Sequence, residues 1–356
     1  MRTSRLIFKV IVFVLILFIA ASTWVWRDFQ SALNAEVITE GPLLIQIDKG
    51  DSFNQIIEKL ISQNVKIESF WFKVIAVQNN AFKKLKTGEY ELSHGLTMPE
   101  ILALFVQGKT KQYTITFPEG WNFKEVLKEI EINPNLEHTI NNINHEKLMT
   151  QLESDPEPLY PEISTEHFPK VLQSPEGAFF PDTYFFEKHT TDISILKRAH
   201  KKMQSILKQE WAEKTDNLPF NTAYEALILA SIVEKETAQP TERPLIAGVF
   251  IRRLEAGMLL QTDPTVIYGM GESYQGNISY KDLKTTTPYN TYVIKGLPPT
   301  PIAMPGRDAI NAVLHPDTTN NLYFVARGDG THQFSANLND HNQAVDNFQR
   351  KKNDPR

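Results

Sequence analysis

The sequence predicts an α+β protein with a single N-terminal transmembrane helix, a small β-α-α-β-α domain and a larger mixed α+β domain. An apolar run lies close to the N-terminus. Strand-like and helix-like segments then alternate over residues 43–111, and short strands mix with longer helical patterns over residues 112–350. A chain of 356 residues is long enough for two domains of these sizes.

Composition excludes several classes of function. The formal net charge is -5, so the chain lacks the overall basic field that favours nucleic-acid binding. There are no cysteines, which removes disulfides, thiolate nucleophiles and cysteine zinc sites together. The sequence has no GxGxxG or GKS loop for phosphates, no HExxH and no GxSxG. We therefore expect no metal, no cofactor and no nucleic-acid partner.

The first element is the apolar run from Leu6 to Trp26, interrupted only by Lys9. About 20 apolar residues span a bilayer, so the run is long enough, with tryptophans at its outer end. Basic residues precede it, whereas Arg27 and Asp28 nearly cancel after it. The positive-inside rule predicts a cytoplasmic N-terminus and an extracytoplasmic remainder. A cleaved signal peptide is the alternative, because Ala20, Ala21 and Ser22 are small; the length of the run favours an uncleaved anchor over residues 1–27.

The next elements are a polar tether over residues 28–42 and the small domain over residues 43–111. A strand precedes the turn at Gly50, and Asp51 or Ser52 is suited to cap the helix that follows. The remaining elements are a helix over Ile67–Val77, a strand over Lys86–Leu92 and a helix over Met98–Val106 that Gly108 ends.

The larger domain, residues 112–350, begins with a strand over Tyr113–Phe117 and a helix over Asn122–Ile130. Residues 133–170 are rich in Asn, Glu, Pro and Ser, and we interpret them as an irregular insertion without chemistry. A long helix is predicted over Asp192–Trp211.

One carboxylate falls on an apolar helical stripe. On a helix through residues 226–237, Leu229, Ile232 and Val233 share a face, and Glu236 lies at its centre. Desolvation there raises the pKa of a carboxyl, as a general acid requires. Glu234 faces the other way and is interpreted as a solvated or paired residue. The alternative for Glu236 is a helix-end carboxylate that turns into solvent.

Two polar loops follow that helix. Gln261, Thr262 and Asp263 precede Pro264 between apolar residues, so their side chains are candidates to converge on a cleft, although Thr-Asp-Pro also starts ordinary turns. Tyr289 and Asn290 supply an aromatic ring and an amide, which suit sugars but are also common in loops without a ligand.

Three histidines, His315, His332 and His341, are candidate metal ligands by residue type. Their spacing matches no ligand pattern, and no Asp cluster accompanies them. Structural or solvent-facing roles are the preferred interpretation.

Several long motifs together resemble the endolytic murein transglycosylase, or YceG-like, family. The motifs occur in the family's order and are FPEGWNFKEVL from residue 117, EGAFFPDTY from 176, ASIVEKET from 230, VFIRRLEAGMLLQTDPTVIYGMG from 249, TPYNTYVIKGLPPTPIAMPG from 287 and HPDTTNNLYFVARGDGTHQFSANLNDHN from 315. The small domain resembles LysM-like modules by its strand-turn-helix opening, and a spacer that binds nothing is the alternative. Residues 133–170 do not match the family.

The resemblance implies that Glu236, the second Glu of the EKE triplet, is the catalytic acid of a peptidoglycan lytic transglycosylase. This implied enzyme cleaves MurNAc-GlcNAc β-1,4 bonds within nascent strands, leaves 1,6-anhydro ends and acts in cell-wall assembly and strand termination. We expect the glycan to contact six further residues: Gln261, Thr262, Asp263, Tyr268, Tyr289 and Asn290. The implied partners are glycan strands and peptidoglycan synthases (penicillin-binding proteins), and the implied location is the bacterial inner membrane with a periplasmic catalytic domain.

Three other functions stay open at this point. A non-catalytic glycan-binding scaffold would share the anchor and the small domain but would not need Glu236. A retaining or inverting hydrolase would produce reducing ends instead of anhydro ends. A cytosolic pyridoxal-phosphate lyase is named because the family has carried an aminodeoxychorismate lyase label, but the apolar anchor argues against it.

Overall fold

A computed structural model describes residues 2–140, 145–152 and 174–350. The chain divides into two compact units, Met1–Tyr113 and Thr114–Arg356. Both contain helices and strands, so the protein has the mixed helix and strand composition that the sequence predicts.

The first helix, α1, runs from Arg2 to Asn34. It is long and apolar enough to cross a membrane, and the side chains of its apolar part are exposed in the structure. The helix does not end at residue 27, which corrects the expected tether over residues 28–42. Ala32, Val37 and Ile38 are buried in the core of the first unit, and Val37 N–H donates to the Leu96 carbonyl at 2.8 Å. These apolar residues, spaced within a polar stretch, fasten the end of α1 to the unit.

The first unit has the predicted order of strands and helices. Its elements are β1 (Leu43–Ile47), α2 (Phe53–Ser62), α3 (Ser69–Gln78), β2 (Gly88–Leu92) and α4 (Met98–Gln107). Ser52 caps α2 in a reciprocal capping box with Gln55. Gly108 ends α4 with φ 71°, a conformation that glycine adopts without steric cost.

A single apolar core holds the first unit together. Strands β1 and β2 pair antiparallel, with Leu43 opposite Leu92 and Ile47 opposite Gly88. Ile45 and Tyr90, opposite each other in this register, are fully buried against residues of α2, α3 and α4. Burial of each large apolar side chain contributes about 2 kcal/mol, so this helix-on-sheet core supplies the driving force for the unit.

The second unit is mostly helical and carries short strand pairs. Its helices are α5 (Phe123–Ile132), α6 (His145–Leu152), α7 (Asp192–Ala212), α8 (Ala223–Glu236), α9 (Arg243–Glu255), α10 (Asp263–Met270), α11 (Tyr280–Lys284), α12 (Arg307–Leu314) and α13 (Leu338–Val345). Its strands are β3 (Tyr113–Thr116), β4 (Leu136–Glu137), β5 (Thr183–Phe186), β6 (Thr190–Thr191), β7 (Tyr323–Ala326) and β8 (His332–Ser335). The pairs are β3 with β5, β4 with β6 and β7 with β8.

Helix α8 lies at the centre of this unit. It packs against α7, α9, α10 and α12, and its residues from Ala226 to Val233 are all buried. A helix that is apolar on every side must be covered on every side, which explains why α8 shows no single exposed face.

The region over residues 133–170 was expected to be irregular throughout. Its described parts include the two-residue strand β4, which pairs parallel with β6, and the helix α6. The prediction was therefore wrong for these parts, where Leu148, Met149 and Leu152 supply apolar contacts that the weak periodicity did not indicate. Residues 141–144 and 153–170 lie outside the described residues.

Candidate active site

Helix α8 presents its last residue, Glu236, to a cavity. The helix begins at the N-cap Thr222, whose hydroxyl accepts the Glu225 N–H at 3.2 Å. It ends at Glu236, because Thr237 adopts an extended conformation with φ -147° and ψ 137°. The buried stripe below Glu236 contains Leu229, Ile232 and Val233, as the helical spacing predicted.

The two carboxylates of the EKE triplet have different surroundings. Glu234 accepts from Arg243 Nη2 at 3.1 Å and from the Gly306 N–H at 2.9 Å. Glu234 is therefore paired, which is one of the two roles expected for it, and its side chain is only 5% exposed and not solvated. Glu236 is half-buried and contacts no cation directly among the described residues. Glu234 is therefore a structural anchor, and Glu236 is the carboxyl that remains available for chemistry.

The cavity beside Glu236 has a volume of about 380 Å³. Its walls come from the end of α8, the turn before α10, the β7–β8 hairpin and α13. The lining residues that carry polar groups are Glu236, Arg253, Gln261, Thr262, Asp263, Tyr292, His332, His341 and Gln349. Two carboxyl groups, two imidazoles, two amides, two hydroxyls and one guanidinium thus converge on a single pocket, and convergent polar groups of this kind mark a candidate binding site.

Burial raises the pKa of Glu236 to about 7. The cause is desolvation, which penalises the charged carboxylate, and nearby Asp263 adds to it. Two groups oppose the rise: Thr262 Oγ1 donates a hydrogen bond to Glu236 Oε1, and His332 lies close enough to favour the anion. The carboxyl therefore holds its proton close to neutral pH.

Thr262 is held in place by Thr291, in the loop after α11, and by Thr265 of α10. Its N–H donates to Thr291 Oγ1 at 3.1 Å, and its carbonyl accepts from Thr265 Oγ1 at 2.8 Å. Gln261, directly before it, has φ 54°, a left-handed conformation that costs free energy in a residue other than glycine. This strained turn directs the Thr262 hydroxyl toward Glu236.

A histidine and a carboxylate form a pair on another wall of the cavity. His332 Nδ1 lies 2.7 Å from Glu242 Oε2, and the His332 N–H donates to Glu242 Oε1 at 2.9 Å. Both side chains are largely buried. The contact at Nδ1 orients the imidazole ring, and the backbone contact holds the Glu242 carboxylate beside the start of β8.

A second, larger cavity of about 860 Å³ contains another buried carboxyl, Glu176. Its oxygens accept from the Phe123 N–H at 3.0 Å and from the Tyr268 hydroxyl at 3.0 Å. Burial raises the pKa of Glu176 to about 7, against the lowering effect of these hydrogen bonds. Lys235 and Pro264 line this second cavity, whereas their chain neighbours Glu236 and Asp263 line the first. The two cavities therefore adjoin the ends of the same two helices, α8 and α10.

The six residues expected to contact glycan divide into three groups. Gln261, Thr262 and Asp263 line the cavity of Glu236. Tyr268 and Tyr289 line the second cavity, where their rings make an edge-to-face contact with centroids 4.8 Å apart. The side chain of Asn290 is buried, and its amide nitrogen donates to three carbonyls at the end of α11, including the Thr285 carbonyl at 2.7 Å. Asn290 therefore stabilises its own loop.

From the sequence, no role in these cavities was expected for Glu176, Arg253 or Tyr292, and His332 was considered only as a metal ligand. Glu176 carried a readable signal, because it lies in the run Glu-Gly-Ala-Phe-Phe, where a carboxylate next to apolar residues implies desolvation. Tyr292 stands in a quoted motif, and its hydroxyl donates to Asp263 Oδ1 at 2.6 Å. His332 gave no such signal, since its partner Glu242 lies 90 positions away in the sequence.

The described residues contain no group of three or more His, Asp and Glu side chains suited to hold a metal ion. His332 and His341 line the cavity of Glu236, whereas His315 is directed at the Glu213 carbonyl, 2.8 Å from its Nε2. What the cavity offers chemically is a protonated carboxyl beside hydrogen-bonding groups, which is the arrangement of a general acid.

Comparison with known proteins gives consistent results. A model of the YceG-like family matches residues 45–347. The endolytic murein transglycosylase of Bacillus subtilis is 32% identical over 316 residues, which cover 87% of this chain and 86% of that protein. The endolytic murein transglycosylase of Streptococcus pneumoniae is 27% identical over 341 residues, 89% of this chain and 60% of that protein. A crystal structure of a YceG-like protein from Listeria monocytogenes has a TM-score of 0.56 at 29% identity, and the match covers 85% of this chain and 98% of that one.

Proposed function

This chain belongs to the YceG-like family, and on that basis we propose that it is an endolytic peptidoglycan lytic transglycosylase with Glu236 as its catalytic acid. The observation that most supports this role is the position of Glu236: it lies half-buried on a cavity wall, and desolvation raises its pKa to about 7. A carboxyl with that pKa carries a proton in a large fraction of molecules at neutral pH.

In the proposed reaction, Glu236 donates its proton to the bridging oxygen between MurNAc and GlcNAc as the bond from the MurNAc anomeric carbon to that oxygen breaks. Positive charge then develops at the anomeric carbon. The 6-hydroxyl of the same MurNAc forms the new bond, and the Glu236 carboxylate takes up the hydroxyl proton. The products are a GlcNAc end and a 1,6-anhydro-MurNAc end, and no water is consumed. Because the nucleophile belongs to the substrate, one carboxyl suffices as acid and then as base.

The glycan strand is proposed to contact Gln261, Thr262 and Asp263 beside the scissile bond. An enzyme that cuts within a strand must hold sugars on both sides of that bond. The second cavity suits the continuing strand, because Tyr268 and Tyr289 offer rings for sugar faces and the carboxyl of Glu176 lies among them. Lys235 lines the second cavity and directly precedes Glu236, which lines the first, so the two cavities lie at the same end of α8.

The cellular setting is proposed from α1 and the family. We expect α1 to anchor the chain in the inner membrane, with the N-terminus in the cytoplasm and the second unit in the periplasm. There the enzyme would terminate nascent strands in cell-wall assembly, beside penicillin-binding proteins. The first unit is proposed to be LysM-like, supported by its β-α-α-β-α order, with a spacer that binds nothing as the alternative.

The test is product analysis with the purified full chain and isolated peptidoglycan. We expect wild-type protein to release fragments with 1,6-anhydro ends, as seen by mass spectrometry. Glu236→Gln keeps the size of the side chain but removes the acid, so cleavage should fall by about 10²- to 10⁴-fold. Glu255→Gln, an exposed carboxylate at the end of α9, is the matched control and should cleave normally.

Each alternative function gives a different result in this experiment. Undiminished cleavage by Glu236→Gln would remove Glu236 as the acid. Fragments with reducing ends would indicate a hydrolase, and binding without cleavage by the wild type would indicate a scaffold. An absorbance band of a bound pyridoxal group would indicate the lyase chemistry.

A further inference from the structure

Helix α3 exposes an apolar face that the core of the first unit does not use. Phe70 is 67% exposed and Val77 is 66% exposed, although both side chains are large and apolar. Val74 lies between them, partly exposed, at helical spacings of four and three residues, so the three side chains share one face. The opposite face of α3 carries Phe72, Ile75 and Ala76 into the core. A contiguous exposed apolar face of this kind marks an interaction surface.

This face continues onto the membrane-spanning helix. Trp71 Nε1 donates to Asp28 Oδ2 at 2.8 Å, and the rings of Trp71 and Phe29 have centroids 5.1 Å apart. Between α1 and α3 lies an apolar cavity of about 450 Å³. It is lined by Phe18, Ala21, Ser22, Val25, Trp26 and Phe29 of α1 and by Trp71, Val74 and Gln78 of α3. Helix α3 therefore lies alongside the outer part of α1.

The length of α1 places this contact near the outer membrane surface. Its 33 residues span about 50 Å, whereas the hydrocarbon core of a bilayer is about 30 Å thick. Trp24 and Trp26, which prefer the interface between lipid and water, are 68% and 62% exposed. Phe29 lies three residues beyond Trp26 on α1, and its ring contacts Trp71 of α3. Both rings therefore extend the aromatic belt of Trp24 and Trp26.

We propose that α3 rests in the outer interface of the bilayer, with Phe70, Val74 and Val77 directed into lipid. The occupant of the face is the lipid surface, because the face is continuous with side chains of α1 that the bilayer must cover. Lys73, exposed on α3 between Phe70 and Val77, suits this position, since its long chain can lie along apolar surface while its ammonium group reaches lipid phosphates.

The consequence is that the first unit is held to the membrane at two places. Ala32, Val37 and Ile38 fix the end of α1 within the core of the unit, and α3 adds a second contact with lipid. The unit would then keep a fixed depth and orientation at the membrane surface. This inference requires that α1 spans the bilayer, but it is independent of the chemistry proposed for Glu236.

The absence of cysteine allows a direct test with single-cysteine variants of the full chain. Phe70→Cys and Val77→Cys are labelled with an environment-sensitive fluorophore and reconstituted in vesicles of phosphatidylcholine and phosphatidylglycerol. Ile61→Cys and Leu44→Cys are matched controls, because both are exposed apolar residues of the same unit. Val14→Cys, within α1, reports insertion. Because all these positions are exposed, the substitutions should not disturb folding.

We expect lipids that carry a nitroxide near the headgroup to quench the labels at 70 and 77 several-fold more than those at 61 and 44. Equal quenching at all four positions would place α3 in water and overturn the proposal. Labels at 70 and 77 that are shielded from aqueous iodide yet not quenched by lipid would show a protein cover, which also overturns it. Insertion is read separately with lipids that carry the nitroxide deep in the acyl chain: a label at Val14 that these lipids do not quench would remove the premise that α1 spans the bilayer, and the proposal for α3 with it.

Discussion

Burial raises the pKa of both Glu236 and Glu176 to about 7, and each carboxyl group has a hydroxyl donor beside it. Thr262 donates to Glu236, and Tyr268 donates to Glu176. A hydroxyl that donates to a carboxylate stabilises the charged form, so each donor limits the rise that desolvation causes. The balance between these two effects sets the pH range in which each carboxyl carries a proton.

Removal of the Thr262 hydroxyl tests this balance at Glu236. Thr262→Val keeps the shape of the side chain and removes the donor, so the pKa of Glu236 should rise by about one unit, the equivalent of one hydrogen bond to a charged group. Activity that depends on protonated Glu236 falls as the pH rises through its pKa. The alkaline limb of the pH–kcat/KM profile should therefore move to higher pH.

The control for that experiment is Thr215→Val, whose hydroxyl donates to the Leu314 carbonyl at 3.0 Å, outside the residues that line the cavity. Its pH profile should match that of the wild type. A Thr262→Val enzyme that loses activity equally at every pH, with the limb unmoved, would show that Thr262 acts only on structure.

Glu176 gives a prediction for stability. Its folded pKa, about 7, is above the ordinary value of 4.5, so the folded state binds the proton more tightly than the unfolded state does. The resulting stabilisation is complete below pH 4.5 and is lost as the pH rises to 7, a change of about 3 kcal/mol. Glu176→Gln should flatten the dependence of the free energy of unfolding on pH in that window, as measured by denaturant unfolding. Identical pH dependence in both proteins would contradict the assignment.

At the scale of elements, the end of α8 decides where Glu236 lies. The buried pair of Glu234 and Arg243 ties α8 to the start of α9, and the Gly306 N–H ties it to the start of α12. Arg243 also lies 3.3 Å from Asp308. Three helices therefore meet at the residue two positions before Glu236, and this junction holds the last turn of α8 in a fixed orientation.

Glu234→Gln should weaken this junction. The substitution removes one charge of a buried pair, and Arg243 keeps Asp308 as a partner, so we expect a loss of about 2 kcal/mol. For a unit of this size such a loss lowers the thermal midpoint by about 4 to 8 °C. The exposed control Glu255→Gln should stay within about one degree of the wild type in the same thermal melt. A Glu234→Gln midpoint equal to that of the control would show that the pair does not hold α8.

Local signals predicted most elements of the first unit closely. Helix α4 was expected over Met98–Val106 and runs over Met98–Gln107, because its apolar spacing and the glycine that ends it are both local. The tether was predicted wrongly, because the apolar residues at 32, 37 and 38 follow neither helical nor strand periodicity along their whole stretch. They become a core segment only through partners such as Leu96, about 60 residues further along the chain.

At the scale of the whole molecule, α1 is long and apolar enough to cross a membrane, and the proposed cellular setting depends on its doing so. Its apolar part is exposed in the structure, and its final turns enter the core of the first unit. A helix that continues without interruption from the span into a folded unit transmits its position directly. The orientation across the membrane is then the property that fixes which compartment contains Glu236.

The orientation can be measured with two single-cysteine variants. One variant carries a cysteine in place of Tyr280, which is 73% exposed on α11, and the other carries a cysteine in place of Thr3, near the N-terminus. A membrane-impermeant maleimide should label Tyr280→Cys in intact spheroplasts, whereas it should label Thr3→Cys only after permeabilisation, because the positive-inside rule predicts a cytoplasmic N-terminus. The opposite pattern would reverse the topology, and a mature protein that lacks the Thr3→Cys label even after permeabilisation would indicate a cleaved signal peptide.

By itself, the sequence determined the long apolar helix at the N-terminus, the alternation of elements in the first unit and the helix that carries Glu236, because each depends on the spacing of neighbouring residues. Only the tertiary structure decided that Thr262 and His332 approach Glu236, and that Glu176 lies in a second cavity beside Tyr268. These contacts join residues 26 to 96 positions apart. Desolvation, which sets the pKa of both carboxyls, depends on all the chain that packs around them and on no local pattern.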